Sequence, residues 1–88
     1  MPLVSVFDGI SIRLYMLDNQ HHRLPHFHAR YAEFEASISI VDGSVLAGKL
    51  PLRQLHIVKK WLNVRRSEIE HGWTLAVTGN LPPRIEPL

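Results

Sequence analysis

The sequence contains no cysteine. That excludes a disulfide framework and any thiolate metal site, and it suits a reducing compartment. Long apolar runs are missing too: none approaches the roughly 18 residues a bilayer-spanning helix needs. The opening residues, Met1-Pro2-Leu3-Val4-Ser5-Val6-Phe7, lack the basic start and extended apolar core of a signal peptide. The expectation is a cytoplasmic protein with no membrane association. There are no repeats, no low-complexity tract and no glycine-rich loop of the kind that cradles phosphates.

What is present is the make-up of a small globular protein. Residues 1–88 form a single domain, and 45% of them are hydrophobic, too many for a disordered chain. A chain this short buries a modest share of its surface, so a homodimer or another protein partner would add stability. The formal net charge is +2, with six histidines besides. That mild excess permits RNA, DNA or an acidic protein as partner and demands none of them.

Strand signals fill the first half and helix signals the second. This order implies an α+β fold: a mostly antiparallel sheet of four to five strands with one or two C-terminal helices packed on one face. Val4 to Phe7 is a short strand broken at Asp8-Gly9. Ile10 to Met16 alternates, with Ile10, Ile12, Leu14 and Met16 on one face and Ser11, Arg13 and Tyr15 on the other. Asp18-Asn19-Gln20 carries turn chemistry, and His21 to Pro25 is a polar loop.

His26 to Tyr31 and Phe34 to Val41 both read as strands. With Ala32-Glu33 as a two-residue turn, Tyr31 pairs with Phe34, Arg30 with Glu35, Ala29 with Ala36, His28 with Ser37, Phe27 with Ile38 and His26 with Ser39. Apolar pairs then share one face and polar pairs the other, and a one-residue slip would mix them. Ala-Glu is not a favoured primed-turn pair, so a longer loop is the alternative. Asp42-Gly43 carries the signature of a type I′ hairpin, followed by a short strand over Ser44 to Leu46, with Gly48 breaking it.

Pro51 suits the first turn of a helix. From Leu52 to about Arg66, Leu55, Val58 and Leu62 with Ile57, Trp61 and Val64 form a broad apolar face. The opposite arc holds Arg53, His56, Lys59, Lys60, Asn63 and Arg66 and no acid. Ser67 with Glu68 and Glu70 looks like an N-cap with an acidic first turn, opening a second helix or a continued, kinked one. It would pack Ile69 and Trp73 and end near Gly79-Asn80. The remaining residues form an extended tail that can return to the sheet.

Phe7-x-Gly9-Ile10-x-Ile12, Pro25-His26-Phe27-His28, Gly48-x-Leu50-Pro51, Trp61, Trp73 and Ile85-Glu86-Pro87-Leu88 together resemble the bacterial domain-of-unknown-function family 4160. Its members typically read His-x-Pro-Pro-His-Phe-His, and here Leu24 stands in place of the first proline. The resemblance implies no assigned activity. It implies a setting, the two-gene modules of toxin–antitoxin type, in which the partner would be the product of the operon neighbour.

Three readings of the polar face compete. As a ribonuclease-like or RNA-binding surface, His26, His28, Arg30 and Glu35 would supply proton transfer and a cation, with Arg53, Lys59, Lys60 and Arg66 attracting phosphate. As a metal site, His26 and His28 would sit about 7 Å apart at their Cα atoms, from a rise of about 3.3 Å per residue. His21 or His22 would give a third ligand and Glu35 a fourth to a divalent transition metal such as zinc, although no recognised spacing is completed. As a docking surface, the histidines are structural, Arg30–Glu35 is a cross-strand ion pair, and the face meets a protein partner.

Overall fold

A computed structural model describes residues 2–16 and 24–88. Among the described residues the architecture is α+β, with five strands and one helix, which narrows the expected four to five strands and one or two helices. The strands are β1 (Leu3–Phe7), β2 (Ile10–Arg13), β3 (His26–Tyr31), β4 (Phe34–Ser39) and β5 (Val45–Gly48). They form an antiparallel meander in the order β1-β2-β3-β4-β5. Helix α1 (Leu52–Val77) lies on the apolar face.

The β3–β4 register is the one the alternation predicts, pair by pair from His26↔Ser39 to Tyr31↔Phe34. The connecting turn is the two-residue Ala32-Glu33, and Ala32 adopts φ 51 to make it. A left-handed backbone costs an alanine about 1–2 kcal/mol, which the six register pairs offset. Ala32→Gly should therefore raise stability by roughly 1 kcal/mol, read as an upward shift of the urea midpoint with unchanged slope. A lower midpoint would contradict this reading of the turn.

The type I′ expectation at Asp42-Gly43 is corrected. Only Gly43 has positive φ there; it is at Asp8-Gly9 that both central residues do, at 50 and 75. The reason is that β4 cannot turn so late. The Ile40 side chain is buried in the core, and its N–H donates to the Pro25 carbonyl at 2.9 Å. The loop closes instead through Gly43 N–H to the Ser39 carbonyl and Ser39 N–H to the Ser44 carbonyl. Asp42 Oδ1 accepts from Ser44 N–H at 2.9 Å, and this backbone hydrogen bond holds the carboxyl below its ordinary range. Strand β5 accordingly starts one residue later than predicted and runs to Gly48.

Helix α1 starts at Pro51 in the N-cap position and continues through Ser67, so of the two alternatives there it is the continued, kinked helix that forms. The break in geometry falls at Arg65, whose φ of −108 and ψ of 20 are not helical. Val58, Trp61 and Leu62 before the kink and Ile69, Trp73 and Ala76 after it are all buried. One kinked helix thus follows the sheet with a single apolar side, although Val64 beside the kink is exposed. Arg66 donates to the carbonyls of Ile40 and Val41, tying the helix to the end of β4. The tail returns as anticipated: Ile85 N–H donates to the Val4 carbonyl at 2.7 Å, and Ile85 is buried. No helix among the described residues is long and apolar enough to cross a membrane.

Candidate functional site

Alternation sends Phe27 and Ala29 of β3 into the core and His28 and Arg30 to the opposite face. Neighbouring strands complete two cross-strand rows. Arg13, His28 and Ser37 pair side by side in one; Ser11, Arg30 and Glu35 pair in the next. Between them lies a groove of about 350 Å³ lined by Ser11, Arg13, Tyr15, His28, Arg30 and Glu35.

Each lining group has a defined setting. The Tyr15 ring stacks on His28, with centroids 4.1 Å apart and planes 28° from parallel. His28 Nδ1 and Ser37 Oγ are hydrogen bonded at 3.3 Å. Arg30 and Glu35 form an ion pair at 3.9 Å with side chains 64% and 48% exposed. So open and so long a pair is worth little to stability. Its guanidinium and carboxylate are therefore available to a ligand at small cost.

His26 stands in the same alternating row but in a different environment. It is 1% exposed, its Nδ1–H donates to the Leu24 carbonyl at 2.9 Å, and its ring lies 5.0 Å from that of Trp73. Its edge meets His28 with centroids 5.2 Å apart. His26 thus packs edge-on beside His28, covered by Trp73, and does not line the groove. The candidate set is divided as a result: the structure brings His28, Arg30 and Glu35 together at the groove and buries His26 next to it.

The other candidates lie elsewhere. Arg53 and Lys60 are exposed and Lys59 half-buried on α1, the layer on the far side of the sheet from the groove. Arg66 is engaged by the carbonyls of Ile40 and Val41, just past β4. His21 and His22 lie outside the described residues. Among the described residues, no three histidine, aspartate or glutamate side chains gather as a metal would require. Arg13 and Tyr15 were legible in the alternation of Ile10 to Met16, conditional on β2 lying beside β3. Ser11, on the same face, carries no chemical signal of its own, and only the pairing with Arg30 places it in the groove.

A protein-family model described as "Domain of unknown function (DUF4160)" matches residues 9–74. The chain belongs to this family. The matched stretch takes in both cross-strand rows, the groove and most of α1. It leaves out β1 and the tail that closes over it. No curated protein and no solved structure matches the chain.

Proposed function

We propose that the protein is a small binding module that recognises single-stranded RNA through the open face of its sheet, as the interaction component of a toxin–antitoxin-like two-gene module. The observation that carries this is the groove itself. It collects two guanidinium groups, Arg13 and Arg30, beside the stacked Tyr15 and His28 rings. Arginine forks suit phosphate, and aromatic faces suit unstacked bases, the two elements of single-strand recognition on a sheet. The burial of His26 favours binding over cleavage. Metal-free cleavage needs two groups exchanging protons with the substrate, and a histidine packed under Trp73 is poorly placed to be one of them.

The test is fluorescence anisotropy with a short labelled RNA at low salt. Arg13→Ala and Arg30→Ala should each weaken binding by roughly tenfold or more, as expected for a charge-assisted hydrogen bond, and each should flatten the salt dependence by about one counterion. Charge reversal at Arg53, Lys59 and Lys60 should have a much smaller effect. Wild-type affinity in both arginine variants would sink the proposal. Loss confined to the helix variants would move the site to the basic arc of α1.

A further inference from the structure

The groove does not end at Glu35. A second, shallower groove of about 210 Å³ adjoins it, lined by Glu35, Ala36, Ser37, Ala47 and Gly48. The two share Glu35 and meet on the same face of the sheet. Following one cross-strand row from β2 to β5 gives Arg13, His28, Ser37 and then Ala47. The row begins with a large cation and a ring and ends on small side chains that leave the floor low. Strands lie about 4.8 Å apart, so the row covers about 14 Å across the sheet.

We propose, resting on the reading above, that these two grooves form one track for a single-stranded oligonucleotide crossing the strands from β2 towards β5, and not a site for a mononucleotide. The length suits about two to three nucleotides, the number that sheet-face readers hold. Arg13 and Arg30 take the phosphate at the β2–β3 end, where the Tyr15–His28 stack lies beside a base. The next base lies over Ser37 and Ala47. Glu35, at the junction, repels phosphate and accepts from a base amine, which directs the backbone to the arginine side and favours a base with an exocyclic amine, such as cytosine, over uracil.

Titration with cytidine monophosphate, the cytidine trinucleotide and the hexanucleotide, in ribose and deoxyribose series, tests the track. The trinucleotide should bind about tenfold or more tighter than the monophosphate, with little further gain at six. A rise in either series supports the track, and a difference between the series assigns the sugar. Ala47→Leu, an exposed edge substitution, should abolish the gain from one nucleotide to three while leaving monophosphate binding unchanged; a thermal melt checks that the variant is folded. Equal affinity for one and three nucleotides would overturn the track and leave the arginine site standing. Absence of binding by every member would overturn both.

Discussion

Trp61→Ala is expected to leave the protein largely unfolded. The indole is 0% exposed and is the largest fully buried side chain. It meets Phe7 at 5.6 Å between centroids and Phe27 at 5.7 Å, so it joins α1 to both β1 and β3. Its Nε1–H donates to the Glu86 carbonyl at 3.0 Å, so it also holds the tail. Truncating a buried tryptophan costs about 3–5 kcal/mol, against a total stability of about 5–15 kcal/mol, with small domains near the low end. Far-UV circular dichroism in urea checks it. Trp61→Phe should keep both ring contacts and lose the donor to Glu86, for a smaller cost of about 1–3 kcal/mol. If the alanine variant kept the wild-type midpoint, this account of the core would fail.

Gly48→Ala should release β5 from the sheet. Gly48 has φ 72, and a Cβ added there would stand 2.1 Å from the Glu35 carbonyl oxygen. That obstacle is backbone, so no side-chain rotation relieves it. The conformation alone costs about 1–3 kcal/mol, and removing the clash requires β5 to separate from β4 at the Ala36↔Gly48 pair. Strand β5 is exposed along its whole length and has little burial with which to resist. Hydrogen exchange should show lost protection at Lys49 N–H, which donates to the Glu35 carbonyl, while β3 stays protected. Unchanged protection at Lys49 would contradict the prediction. Because Gly48 also lines the second groove, this variant should lose the trinucleotide gain as well.

How much was legible varied with the range of the forces involved. The β3–β4 hairpin could be read residue by residue, because its alternation leaves only one register with an unmixed apolar face. Arg30 opposite Glu35 and His28 opposite Ser37 came with it. Local turn chemistry was a poorer guide. Ala32-Glu33, an unfavourable pair, makes the tight turn, whereas Asp42-Gly43, a favourable one, does not. In both cases pairing and burial outweighed a local preference of about 1 kcal/mol. Ser67 shows the same ordering: its capping tendency is overridden because α1 buries more by continuing to Ile69, Trp73 and Ala76.

The histidine motif draws the line most sharply. By itself the sequence determined that His26, His28 and Arg30 alternate with Phe27 and Ala29, since side chains of a strand point to opposite faces at a period of two. It determined the strand pairing that places Ser37 and Glu35 across from them. Only the tertiary structure decided which of the three line the groove. The long kinked helix brings Trp73 onto His26 from a position 47 residues later, β2 brings Arg13 alongside His28, and the residues just after β2 bring the Tyr15 ring onto it. Alternation is a local property of the chain. Burial depends on what arrives from elsewhere, and that is why two histidines with the same pattern have different surroundings.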